Sequence, residues 1–293
     1  MRGVADATMV SEEVVKAGRI WLSAISAKPD RAPARANIIA LPGGGHTCRY
    51  WHHPRKQDAS LLHLGALLGY RVVAFDRPGY GTSTDAKGSG FSHDQQIELF
   101  AEAITRVCHA SEADQLFLVG HSMGGILSIK LAASGELADL QGIDVSGVPY
   151  QFSDVLLTAM AEATPTNASR SARSLFYGPE GSFDPSIFKA DNQVTAPVPP
   201  SELEDSSVWP KQFSAITRRV TVPVQYTLAD HDRTTPSDDT TLEAIRNNFS
   251  ASPRVETRRQ LASGHNISFH HIARSYHLRA IAFFDEVLAL QGR

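Results

Sequence analysis

Residues 120–124 read Gly120-His121-Ser122-Met123-Gly124, a Gly-x-Ser-x-Gly pentamer. Small residues on either side let the chain bend tightly enough to hold the central serine in a strained conformation, exposed and near a helix N-terminus. A hydroxyl held that way is a candidate nucleophile. The pentamer alone is weak, since Gly and Ser are common. Its context adds weight: the apolar run Gln115–Val119 precedes it and the helix-prone Ile126–Ala133 follows. Strand, turn and helix form the setting that a nucleophilic serine requires. The competing reading is an ordinary Gly-Ser turn between two elements.

A serine nucleophile needs a base and an acid, and the chain order Ser, Asp, His directs the search downstream. Ser263-Gly264-His265-Asn266 follows the strand-like stretch Arg254–Leu261, so His265 could reach over the sheet edge to take the proton of Ser122. Between them, the apolar run Val222–Leu228 empties into Ala229-Asp230-His231-Asp232-Arg233, a turn with two carboxylates. Asp232 is the chosen partner for the imidazole, with Asp230 as the fallback.

These segments resemble an α/β-hydrolase-fold serine hydrolase of the esterase/lipase-like superfamily over nearly the whole chain. Leu41-Pro42-Gly43-Gly44-Gly45-His46, Phe75-Asp76-Arg77-Pro78-Gly79-Tyr80-Gly81-Thr82-Ser83, Gly120–Gly125, Leu228–Pro236 and Ser263–Asn266 follow in the family's order. The resemblance places the acid at the fourth position of a Gly-x-x-Asp turn. Ala229 stands where that Gly would be, which leaves Asp232 at the acid position. A rarer site for the acid is Asp144, at the end of the sixth expected strand.

The glycine run after strand Asn37–Leu41 lets backbone N–H groups face a substrate oxygen. Acyl transfer builds negative charge there, and one donor fixed in advance is worth about 10²–10³ in rate. The oxyanion donors are assigned to the backbones of Gly44 and Met123. Pro42-Gly43 replaces the His-Gly found in many relatives, so Gly45 stays open as the alternative to Gly44. His46, Tyr50 and Trp51, with Cys48, follow this turn and are candidates to line the pocket; loop packing is the bland alternative. Asp76 reads as an anchor for the Arg77–Ser83 loop. His52-His53 and His270-His271 are adjacent pairs with diverging side chains, which disfavours a metal site. The mechanism calls for no cofactor.

The elements that position these residues alternate: a hairpin over Glu13–Ile25, strand 37–41, helix 59–68, strand 72–75 and helix 95–109. Strand 115–119, helix 124–134 and strand 140–145 follow. Strand 222–228, helix 241–247, strand 254–261 and helix 273–289 complete the pattern. Alternation of this kind predicts a mostly parallel central sheet with helices on both faces. Ligands bind beyond the C-terminal strand ends of such sheets, where every catalytic candidate falls. Residues 147–214 break the alternation and carry too many apolar side chains for a linker, among them Leu156, Met160, Leu175, Phe176, Trp209 and Phe213. The resemblance implies a helical cap insertion there, on a core formed by residues 1–146 and 215–293. The competing reading is a surface insertion that never touches substrate.

Composition sets the outer limits. The 293 residues are 42% hydrophobic, enough for a full core, and the net charge of −3 argues against nucleic acid or an anionic membrane as partner. No apolar run reaches the roughly 18–20 residues that span a bilayer. Met1–Asp6 lacks the apolar core of a signal peptide, and the two cysteines, Cys48 and Cys108, match no metal or redox spacing. A cytoplasmic enzyme with reduced thiols is the expectation.

Serine at position 122, rather than a carboxylate, points to acyl chemistry. The expected reaction is hydrolysis of a carboxylic ester or lactone of a small to mid-sized, largely apolar molecule through an acyl-enzyme. Acyl transfer to an alcohol, carbon–carbon bond hydrolysis with the same triad, and a non-catalytic ligand-binding role remain as alternatives.

Overall fold

The computed structural model describes residues 9–83, 90–162 and 174–291. The N-terminal stretch Met1–Asp6, read above for a leader, lies outside the described residues. Eight strands form one sheet: β1 (Ser11–Ala17), β2 (Ile20–Ala27), β3 (Asn37–Leu41), β4 (Arg71–Phe75), β5 (Leu116–His121), β6 (Leu140–Ser146), β7 (Val224–Ala229) and β8 (Val255–Gln260). Their spatial order is β1-β2-β4-β3-β5-β6-β7-β8. The β1–β2 hairpin turns at Gly18 and joins β4 antiparallel; every other pairing is parallel.

The central strands are apolar on both faces, as a parallel sheet covered twice requires. Ile39, Leu41, Val73, Phe75, Leu116 and Leu118 face one core, and Ile38, Ala40, Val72, Ala74, Phe117 and Val119 face the other. Helices α1 (Leu61–Leu67) and α7 (Ala273–Gln291) cover the second face. The first is covered by α2 (His93–His109), α3 (Met123–Ser134), α5 (Pro200–Thr217) and α6 (Asp239–Asn248). α2 starts where Ser92 and Gln95 form a reciprocal capping box, two residues before the expected start.

The ladder between β5 and β6 continues to the pair His121–Ser146, so β5 carries the chain to the residue before Ser122, beyond its expected end at Val119. After β6 come α4 (Asp154–Ala161), a 3₁₀ stretch over Pro185–Ala190, one helical turn over Asp191–Val194, and α5. Trp209 and Phe213 of α5 are fully buried, Phe213 meeting Tyr226 of β7 and Phe249 edge-on. α4 buries none of its residues.

Candidate functional site

Ser122 links β5 to α3 with φ 52° and ψ −118°, a conformation that costs a non-glycine residue on the order of 1–3 kcal/mol. Surrounding contacts hold it. Its backbone N–H donates to Ser146 O at 2.8 Å, and its carbonyl accepts from Ile126. Gly124 lies so close to the loop above that an added Cβ would sit 2.2 Å from the Leu41 carbonyl and 2.4 Å from that of Pro42. The glycine loop therefore rests directly on the turn that carries the serine. Met123 opens α3, and a first-turn N–H has no intrahelical partner, which leaves it available to a ligand.

His265 lies in the loop between β8 and α7, and its Nδ1 is 2.8 Å from Asp232 Oδ2. Both side chains are buried. The other oxygen of Asp232 accepts from Thr234 N at 2.8 Å and from the Thr234 hydroxyl at 2.7 Å. An acceptor-only carboxylate is thus fixed on one side and meets the imidazole with the other. Asp230 faces elsewhere: its oxygens accept from the backbone N–H groups of Ala262 and Ser263. Asp144 also points away, bonded to Gln225 and Tyr276, and burial raises its carboxyl to about 6.

The loop bearing His265 is braced on three sides. His270 Nε2 accepts from Gly264 N and Gly178 N, both at 3.0 Å, so its proton must sit on Nδ1, which donates to Asn266 O. Burial pushes the His270 imidazole down to about 4, consistent with a neutral ring. Asn266 N donates to Phe176 O, and Asn266 Oδ1 lies 3.3 Å from His121 Nε2. Burial, with His265 and His46 nearby, also holds His121 well below the ordinary histidine range. At Gly147, φ is +60°, and an added Cβ would meet His121 at 2.8 Å and His265 at 3.0 Å. That position admits glycine on both counts.

Ser122, His265, Gly44 and Met123 line one cavity of about 410 Å³. Its walls are Leu156, Met160, Leu175, Phe176, Val198 and Leu203, and no Lys or Arg is among the described lining residues. His46 lines it as well; burial pushes this ring down to about 3, and its Nδ1 has no partner among the described residues. Tyr50 and Trp51 lie instead in the core below. Tyr50 stacks on His121 at 4.7 Å, Trp51 meets Tyr50 edge-on, and both are buried. Cys48 is buried beside Asp76, whose Oδ1 accepts the Cys48 N–H and whose Oδ2 accepts from Ser23. The Asp76 carbonyl accepts from Ser83 Oγ, which ties the Arg77–Ser83 loop to the strand. A larger open groove of about 1010 Å³ runs past Tyr177, Phe183 and Arg233 and reaches Asp232 but not Ser122.

Sequence reasoning missed Thr234, the His270 brace and the cavity residues Ala159, Val198 and Leu203. It also missed a buried group formed by Arg77, Tyr80, Gln96 and Glu202. Val198 sits in an irregular stretch, while Ala159 and Leu203 lie on α4 and α5, short of the apolar positions that the sequence marked there. Glu202 carries no local signal, because Arg77 lies 125 residues away in the chain.

The Alpha/beta hydrolase family model matches residues 38–279, and the chain belongs to that family. An esterase of Mycobacterium tuberculosis is 28% identical over 142 residues, which is 45% of this chain and 43% of the relative. Across the curated relatives that it matches, the chain spans between 26% and 43% of their length. Among solved structures, a thermostable carboxyl esterase of Bacillus coagulans superposes with TM-score 0.68 at 18% identity, over 95% of this chain and 98% of that one. A 2-hydroxy-6-oxo-6-phenylhexa-2,4-dienoate hydrolase of Rhodococcus gives 0.64 at 18% identity, over 93% and 100%. At such identities the structural likeness speaks for the fold alone. No helix among the described residues is long and apolar enough to cross a membrane.

Proposed function

We propose that this chain is a serine hydrolase that cleaves a carboxylic ester or lactone of a small to mid-sized, largely apolar molecule. The observation that carries this reading is that the strained Ser122 and the Asp232-paired His265 line one largely apolar cavity. In the proposed reaction, Ser122 Oγ attacks the carbonyl carbon while His265 Nε2 accepts its proton. Asp232 holds the ring with Nδ1–H outward and stabilises the imidazolium. Gly44 N–H and Met123 N–H receive the developing oxyanion. Collapse of the tetrahedral intermediate breaks the bond to the alcohol oxygen, which takes the proton from His265. Water, deprotonated by the same ring, then releases the acid and restores Ser122.

The cavity speaks to the substrate. Its volume suits a small molecule, and its walls offer mostly hydrocarbon, with His46, His121 and Asn266 as polar lining beside Ser122 and His265. Residues 147–214 act in this reading as the cap: Leu156, Met160, Leu175, Phe176, Val198 and Leu203 all come from that segment. A carboxylate substrate would bury an anion, and no Lys or Arg is among the described lining residues to offset its desolvation cost. This weighs against the carbon–carbon hydrolase alternative, whose structural relative is named for a dienoate.

The test is a p-nitrophenyl ester series from acetate to laurate, beside matched esters ending in a free carboxylate. Hydrolysis of neutral esters with at least about tenfold preference over the anionic partners is expected. Turnover of a dienoate with no turnover of any ester would contradict the proposal.

A further inference from the structure

Arg77 and Glu202 form a bidentate ion pair with no solvent exposure on either side chain, Nε to Oε1 at 2.9 Å and Nη2 to Oε2 at 2.8 Å. Tyr80 Oη donates to the same carboxylate at 2.7 Å and Gln96 Nε2 at 2.9 Å. Burial pushes the Glu202 carboxyl up, but Arg77, Gln96 and Tyr80 outweigh it and hold the group below its ordinary value. A buried pair of this kind is weak support for stability, since desolvation can exceed the Coulombic gain. What its members touch is more telling. The third guanidinium nitrogen, Nη1 of Arg77, donates to the Pro42 carbonyl. The hydroxyl of Tyr80 accepts from Gly45 N at 3.2 Å. Pro42 and Gly45 bracket Gly43 and Gly44, so one carboxylate from α5 governs the peptide planes on both sides of the Gly44 N–H.

We infer that Glu202 is a positioning residue for the oxyanion-stabilising loop. Through Arg77 and Tyr80 it fixes the Pro42–Gly43 and Gly44–Gly45 peptide planes, and so keeps the Gly44 N–H aimed at the oxygen that becomes negative. The inference rests on the serine-hydrolase reading above. Three donors converge on Glu202, so the carboxylate cannot swing away without stranding them. The arrangement is preorganised before substrate arrives, which is the condition for electrostatic catalysis. It also ties the loop to α5, so that the segment forming the cavity wall and the oxyanion loop are held by the same group.

The experiment compares wild type with Tyr80→Phe and Glu202→Gln on the best p-nitrophenyl ester. It also measures inhibition by a trifluoromethyl ketone of matching chain length. The ketone forms a hemiketal with Ser122 whose oxyanion occupies the proposed hole, whereas the corresponding secondary alcohol fills the same cavity without one. Tyr80→Phe strands no charge and keeps the test alive if Glu202→Gln does not fold. The expected result is a fall in kcat of about tenfold for Tyr80→Phe and up to about a hundredfold for Glu202→Gln, short of full donor loss. KM stays within about twofold, Ki for the ketone rises by the same factor as kcat/KM falls, and alcohol binding is unchanged. A folded Tyr80→Phe with full kcat and unchanged ketone Ki would overturn the inference. So would a kcat loss that leaves the ketone Ki unmoved. Failure of the underlying reading shows differently, as a wild type that neither hydrolyses esters nor binds the ketone.

Discussion

His265 Nδ1 and Asp232 Oδ2 lie 2.8 Å apart, with both side chains removed from solvent. A carboxylate so placed fixes the imidazole tautomer and leaves Nε2 free to act on a proton. Asp232→Asn is expected to lower kcat about 10⁴-fold with the fold retained, because the amide stabilises the wrong tautomer. Asp230→Asn, which alters the carboxylate holding Ala262 and Ser263, is expected to cost far less activity. Steady-state kinetics on both variants decide. A larger loss at Asp230 than at Asp232 would refute the acid assignment.

Gly147 faces both His121 and His265 with φ +60°. Gly147→Ala should destabilise the protein by about 1–3 kcal/mol from backbone strain alone. It should also depress kcat at temperatures where the variant is fully folded, because the new methyl displaces His265. Thermal melting and activity measured on the same preparation test this. An alanine variant with wild-type melting temperature and wild-type kcat contradicts the described packing.

Much of this site was legible in the sequence because its signals are local. The turn around Ser122 needs small residues within five positions, and the strand before it is a continuous apolar run. Choosing between Asp230 and Asp232 is harder, since both sit in one turn and only the fourth-position spacing of the resemblance favours Asp232. The structure separates them by their partners, the backbone at Ala262 and Ser263 against the ring of His265. Tyr50 and Trp51 show the opposite failure. Aromatic residues after a glycine loop suggest a pocket wall, yet stacking on His121 and core burial claim these two. Glu202 was invisible, since an acid beside Glu204 and Asp205 in one helix reads as a solvated face until Arg77 is seen beside it.

The cavity wall sets the chain-length preference in this account. Leu156 stands on α4 with its side chain lining the cavity. Leu156→Trp should shift the p-nitrophenyl ester optimum to shorter acyl chains, lowering kcat/KM for the longest good substrate by about 10–200-fold. Turnover of the acetate should be little affected. An unchanged chain-length profile would place the acyl group outside this cavity.

Burial holds several histidines below their ordinary value, which ties stability to pH. Burial lowers His46 to about 3 and His52, His53, His93, His270 and His277 to about 4, against an ordinary value of 6.5. For a histidine depressed in the native state, the unfolded chain binds the proton first as pH falls. The stability it contributes is present above the ordinary value and is lost between there and the folded value. The melting temperature should therefore drop steadily from about pH 7 to about pH 4.5, with protons taken up on unfolding. A flat profile over that range would mean that these rings are charged or exposed.

Whether Ser122 is an activated nucleophile is tested by covalent labelling. Wild type and Ser122→Ala are treated with a fluorophosphonate probe and analysed by intact mass, with ester turnover followed in parallel. The expected result is one label per wild-type chain, concurrent loss of esterase activity, and neither labelling nor turnover in Ser122→Ala. A wild type that resists the probe, or an alanine variant that still labels and hydrolyses, would contradict it.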